Sequence, residues 1–370
     1  MVGVRYTIIL LNYIMTDIYS YISPNNILVV DTYSNIEDNI YSFQDVSFRI
    51  ELCPNFHNFH SPIATINNKI INISNRQLSF LSYKYIYYVG DKLAIQIQST
   101  YNNLQSENYI YIDEPVFQFV DYDSVMGSGH MYDLMFYLIY IYKKNNMSCK
   151  LLVVKSNSKY YNTLLNLISK YYNIEFLYID LNTNYKFKSF YCTRTYQNVF
   201  FNEVKEFIND TLISKIIEKY NSYPFFSTVC KLKLNNPNNI NKWNDSFLLT
   251  DEYTDYLQKN NICDINTIED EEYKIYLLNK ASKIIISCCS SYYINICYYI
   301  KEYSTQHITV VFHMNSSLDL WTLNCINDKV YQNMPGHYCG NYINQVYNNV
   351  SFNGKIIKYV NSMNDLLYMI

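Results

Sequence analysis

The stretch Gly127-Ser-Gly-His-Met-Tyr-Asp-Leu-Met-Phe-Tyr-Leu-Ile-Tyr-Ile-Tyr142 decides how the chain is read. It follows a polar run, Asp121-Tyr-Asp-Ser-Val-Met126, and becomes apolar at helical spacing: Leu134, Tyr137, Leu138, Ile141 and Tyr142 share one face. Phe117-Gln-Phe-Val120 before it and Cys149-Lys-Leu-Leu-Val-Val-Lys155 after it read as strands. Next come an amphipathic helix over 159–172, strands over 174–179 and 187–192, and a long helix over 199–220. This βαβαβ order predicts a parallel sheet with right-handed crossovers.

Gly127 and Gly129 permit a sharp turn into the helix, whose first turn carries His130 and Asp133. A helix start offers unpaired N–H groups and a partial positive charge. An imidazole and a carboxylate three residues apart share one side of that turn, which suits proton transfer. The plainer reading is a helix cap with a satisfied histidine.

Upstream, short alternating runs at 27–30, 46–52, 69–73, 85–90, 93–97 and 109–112 predict a β-rich start over residues 1–115. The apolar run near residues 4–15 is too short and too polar for a membrane span. It also lacks a signal-peptide cleavage pattern, and it reads as a first strand or helix. Downstream, Pro224 breaks the pattern and marks a boundary. A strand over 227–234 restarts it, followed by helices at 251–258 and 267–281, a strand at 283–287, a helix at 291–303, strands at 307–312 and 355–360, and a last helix at 362–369. The expectation is therefore an α/β protein: a β-rich segment (1–115), a first Rossmann-like lobe (116–223) and a second (224–370), the two lobes facing a cleft.

A net charge of −3 provides no basic field, which argues against nucleic-acid or anionic-membrane binding. The 43 tyrosines accompany abundant Asn, Ile and Lys, a bias expected of an AT-rich genome, such as that of a giant virus or a protist, rather than of a stacking surface. The ten cysteines show no CxxC or Cys/His metal spacing, so reduced thiols in a cytoplasmic setting, host cytoplasm or viral factory, are expected. His57 and His60 lack a third ligand nearby. The triplet Asp121-Tyr-Asp123 could hold a divalent ion on a diphosphate, although such triplets arise often by chance. GxGxxG, GxxxxGK[ST] and GxSxG are all missing, which disfavours dinucleotide, P-loop and esterase chemistry.

In the second half, Lys231 and Lys233 alternate on a strand and share a face; a solvated strand edge explains them equally well. Lys283-Ile-Ile-Ile-Ser-Cys-Cys-Ser-Ser291 runs from a strand through small residues into a helix, where a phosphate could approach the helix start beside Ser290 and Ser291. A plain capped helix is the alternative.

From about Asp121 to Ile300 the order of these motifs resembles the family 61 glycosyltransferases, inverting two-domain sugar transferases of the GT-B arrangement. Gly129-His-Met-Tyr-Asp133 is similar to the family's N-x-x-H-W-x-x-D, with one residue fewer between His and Asp. Lys231 and Lys233, then the acidic segment Leu249–Leu257, resemble its basic strand and acid-rich segment. Glu271–Ala281 with Glu272, the strand 284–286, and Ser290-Ser-Tyr-Tyr-Ile-Asn295 resemble its helix, strand and G-x-x-L-T-N. Two departures stand out: lysine replaces arginine, and Ser or Cys replaces glycine. Lysine loses the bidentate grip of arginine on phosphate.

The resemblance implies a nucleotide-sugar donor, with a UDP-sugar expected, and a glycan or glycoprotein acceptor. His130 or Asp133 would be the catalytic base. Lys231, Lys233, Ser290, Ser291, Asn295 and Glu272 would form the donor site, with no tightly bound cofactor or metal. The alternatives are an inactive relative that binds a sugar nucleotide or a partner, and a metal-dependent nucleotide-using α/β enzyme with Asp121 and Asp123 as ligands.

Overall fold

Long apolar strands with a helix between them organise both halves of the chain. A computed structural model describes residues 34–36, 40–53, 59–71, 73, 99–106, 108–119, 128–193, 202–232, 251–287, 298–301, 306–313 and 354–359. The chain divides into two compact units, Met1–Tyr196 and Gln197–Ile370. The strands expected at 27–30, 85–90 and 93–97 and the helix at 362–369 lie outside the described residues, as does most of the helix at 291–303.

The first unit is built on one nine-stranded sheet. Its elements are β1 (Ser34–Ile36), β2 (Ile40–Cys53), β3 (Phe59–Ile66), β4 (Lys69–Ile71), a short helix α1 (99–104), β5 (Ile110–Ile112), β6 (Val116–Gln118), α2 (Ser128–Lys144), β7 (Lys150–Val154), α3 (Lys159–Tyr172), β8 (Phe176–Ile179) and β9 (Asn184–Thr193). The order is β4-β3-β2-β9-β6-β7-β8, with β1 on β2 and β5 on β9. Strands β6, β7, β8 and β9 are parallel, as the βαβαβ pattern predicts.

The β-rich start is not a separate layer. β2 pairs antiparallel with β9 from Ile40↔Thr193 to Arg49↔Asn184, so both parts share one sheet. Along β2 the buried apolar residues are Ile40, Phe43, Val46, Phe48 and Ile50; strict alternation holds for the last three, after Asp45, whose φ is 53°. β9 is longer than the 187–192 expected because half of its partners lie more than a hundred residues upstream.

Residues 180–183 alone join β8 to β9, with no helix between them. The sheet therefore curls: Tyr185 and Phe187 near the start of β9 share a core with Val154 and Ile179 at the carboxyl ends of β7 and β8. The Asp180 amide donates to the Tyr185 hydroxyl at 2.9 Å. Three rings anchor this core, with Phe48, Phe187 and Phe190 centroids 5.7–5.9 Å apart.

Helix α3 begins at an N-cap, Ser158, which accepts from the Tyr161 amide, and ends at Asn173 in the left-handed region. In α2 the buried residues include Met135, Phe136 and Ile139 beside Leu138, Ile141 and Tyr142, a wider face than the expected stripe, and Tyr137 is only half-buried. The Tyr142 hydroxyl donates to the Cys149 carbonyl at 2.6 Å and ties the end of α2 to the start of β7.

A buried charged cluster locks α1 and β9 to β2. Arg49 Nε donates to Glu51 at 2.6 Å and its Nη1 to Asn184 Oδ1 at 2.9 Å. Asn103 and Thr100 also donate to Glu51, at 2.8 and 3.1 Å. Burial alone would raise the Glu51 carboxyl, but these hydrogen bonds and the Arg49 charge outweigh it and hold the group below its ordinary range.

The second unit begins with α4 (Asn202–Ile208), a π-helical segment (Asn209–Ile213) and α5 (Ser214–Lys219) in place of one uniform helix. The Asn209 carbonyl accepts from both the amide and the hydroxyl of Ser214, a spacing of five that makes the π turn. This helical run, read from sequence as the end of the first lobe, belongs to the second unit because it packs on that unit's helices. Then follow β10 (Thr228–Lys231), α6 (Asp251–Lys259), β11 (Ile262–Asp264), a 3-10 turn (Ile265–Thr267), α7 (Glu271–Lys280), β12 (Lys283–Ser287), β13 (His307–His313) and β14 (Gly354–Tyr359). All five strands are parallel, in the order β11-β10-β12-β13-β14. The Asp270 side chain caps α7 by accepting from the Glu272 and Tyr273 amides.

Residues 298–301 are clamped by their neighbours. Buried Lys205 donates to the Tyr298 carbonyl at 2.8 Å. Asn279 Nδ2 donates to the Tyr299 carbonyl at 2.7 Å, and its Oδ1 accepts from the Lys301 amide at 2.7 Å.

Candidate functional site

Open parallel sheets bind ligands beyond the carboxyl ends of their strands, where the strand order reverses. In the second unit the reversal falls between β10 and β12: the chain steps from β10 to β11 on one side, then from β12 to β13 and β14 on the other. Lys231 ends β10 and pairs with Ile286, next to the last residue of β12. Sequence reasoning singled out Lys231, and the topology puts it at the reversal.

Beside it lies a buried polar group that the sequence reading passed over. Asp264 ends β11 and is the register partner of Cys230. Asp264 Oδ2 accepts from the Tyr253 hydroxyl at 3.1 Å, and that hydroxyl lies 3.3 Å from Cys230 Sγ. The amide and side-chain nitrogens of Asn266 donate to Asp264 Oδ1 at 2.9 and 2.7 Å, so the carboxylate caps the 3-10 turn. Burial pushes the Asp264 carboxyl up, and the hydrogen bonds and the nearby Lys231 charge pull it back only in part. The only sequence signal was an aspartate closing the short run Ile262-Cys263, with an asparagine two residues on.

Glu272 sits in the first turn of α7, buried, in an ion pair with Lys219. The hydrogen bond to Glu272 raises the Lys219 ammonium above its ordinary range. The Tyr220 hydroxyl donates to Asp270 at 2.6 Å. Together these contacts join α5 to α7.

In the first unit α2 opens at Ser128, so His130 lies in its first turn, whereas Asp133, expected there too, falls in the second turn. Lys233, Ser290, Ser291, Asn295, Asp121 and Asp123 lie outside the described residues. Among the described residues no group of three or more His, Cys, Asp or Glu could hold a metal ion, and no helix is long and apolar enough to cross a membrane.

The chain matches no protein-family model and no curated protein. A functional reading accordingly rests on residues and topology. What the described part offers is a point charge, Lys231, at the reversal of a parallel sheet, beside a carboxylate and a tyrosine already engaged with each other.

Proposed function

We propose that the chain is an inverting glycosyltransferase that moves a sugar from a nucleotide donor, a UDP-sugar in the first instance, to a hydroxyl of a glycan or glycoprotein. The observation that carries the reading is the position of Lys231 at the strand-order reversal of the second unit. A phosphate placed there would meet the Lys231 ammonium, so charge developing on the leaving diphosphate is stabilised without a metal. Lys233, Ser290, Ser291 and Asn295 complete the donor site in this reading. His130 or Asp133 takes the proton from the attacking hydroxyl. Glu272 acts at one remove, holding α7 through Lys219.

The test is a thermal-shift screen of UDP-, GDP- and CMP-sugars, then product analysis with and without chelator. The expected result is stabilisation by one nucleotide class, chelator-resistant turnover, and loss of turnover in His130→Ala or Asp133→Ala. Donor binding without turnover identifies a non-catalytic relative. Chelator-sensitive turnover lost on replacing Asp121 and Asp123 identifies the metal-dependent alternative.

A further inference from the structure

Just before β10 the chain carries two of the described surface's most exposed large rings, Tyr223 (53 %) and Phe225 (58 %), on either side of Pro224. Two exposed rings this close together make a small apolar patch open to a ligand or partner. The backbone beneath them is tied down. The Tyr276 hydroxyl donates to the Tyr223 carbonyl at 3.0 Å, and the Tyr273 hydroxyl to the Pro224 carbonyl at 2.8 Å. Tyr220 packs edge-on against Tyr223 at 4.9 Å between centroids, and Tyr273 and Tyr276 stack at 6.0 Å behind it. Two rings therefore stand in solvent on a braced loop, and holding them for a ligand takes little further ordering.

The surrounding charges point to the class of ligand. Lys219 is paired with Glu272, Tyr220 with Asp270, and Lys274 with Glu271. The remaining ammonium at the rim, Lys280, donates to Asn221 Oδ1 at 3.2 Å. Asp270, held by an uncharged hydroxyl, and the exposed carboxylates of Glu218 and Glu269 leave the patch with a slight acidic excess and with hydrogen-bonding groups at its edge. Exposed tyrosine and phenylalanine beside an amide and a paired ammonium suit a neutral polyol: C–H faces lie on the rings and hydroxyls reach the rim.

We infer that Tyr223 and Phe225 form a binding platform for neutral glycan, at the amino end of β10 and so at the opposite end of that strand from Lys231. The platform would hold part of a long acceptor or product. The choice of glycan rests on the glycosyl-transfer reading; the bracing and exposure of the rings do not.

Cellohexaose, xylohexaose and chitohexaose are the probes, examined by saturation-transfer NMR and calorimetry on the full chain, with UDP titrated in parallel. The comparison is with Tyr223→Ala/Phe225→Ala, which leaves both bracing hydroxyls in place; it also removes the ring that Tyr220 packs against, so Phe225→Ala alone and circular dichroism of both variants serve as controls for the fold. The expected result is millimolar binding of at least one oligosaccharide, weakened about tenfold or more in the double variant, with any UDP affinity unchanged. No transfer to any probe at about 10 mM, or equal binding by the double variant, overturns the inference. So does concentration-dependent self-association that the double variant abolishes, since the rings would then be a face between copies of the chain. Oligosaccharide binding at the platform with no response to any nucleotide sugar would retire the donor reading while leaving the platform standing.

Discussion

Replacing Glu51 by alanine removes the acceptor that three side chains share. Arg49 Nε, Asn103 Nδ2 and Thr100 Oγ1 all donate to its carboxylate, and Glu51 is only 6 % exposed. Among the described residues the Arg49 guanidinium would keep Asn184 as its partner, in a site where its side chain is 13 % exposed. Breaking a buried pair by removing one partner costs about 3–5 kcal/mol. Because the cluster retains some solvent contact, the lower end, ~3 kcal/mol, is expected, equivalent to a fall in Tm of roughly 6–12 °C for a unit of this size. Urea unfolding followed by circular dichroism measures it, and a cycle with Arg49→Met separates the pair from the packing. The Glu51 carboxyl lies below its ordinary value near 4.5 in the folded chain. Its contribution is therefore present above that value and lost as pH falls through it toward the folded pKa. The stability difference between Glu51→Gln and the parent should shrink accordingly between neutral pH and about pH 3. A change within about 0.5 kcal/mol for Glu51→Ala, or a pH-independent difference for Glu51→Gln, would refute the account of this cluster.

Lys205→Met should leave the Tyr298 carbonyl without its donor and destabilise the second unit by about 1–3 kcal/mol, with faster amide exchange at residues 298–301 as the local readout. Asp264 behaves oppositely to Glu51: its folded pKa is raised, so stability is gained as pH falls through that value. Asp264→Asn, which keeps an acceptor for the Asn266 amide, should not lower Tm at neutral pH; a drop seen by calorimetry would show that the charged carboxylate is needed. Burial pushes the Cys149 thiol up to about 12 and Cys263 to about 11, and Cys230 higher still. Neutral iodoacetamide should label these three only after unfolding, as peptide mass spectrometry would reveal.

Local pattern gave the helices and central strands, because each writes its own period into the chain. The helix over 159–172 and the strand over 283–287 have the bounds expected of them. What escaped was non-local. β11 is three residues long, too short to show alternation. The partnership of β2 with β9 depends on residues far apart in the chain, as does the Arg49–Glu51–Asn184 cluster, although two opposite charges two apart in Phe48-Arg-Ile-Glu-Leu52 were a hint. Of the candidate site, Lys231 was legible from its strand. Its place at the order reversal was not, since strand order follows from pairing rather than from any one segment.

The β2–β9 seam has a bearing on synthesis. Ile40 finds its partner only when Thr193 has been made, so nearly the whole first unit must leave the ribosome before its middle strands can zip together. Until then β2, with its run of large apolar residues, is an open edge available to other nascent chains. High contact order of this kind slows folding and lengthens that exposure. Expression at lower temperature, or with holdase chaperones raised, should therefore improve recovery of the first unit.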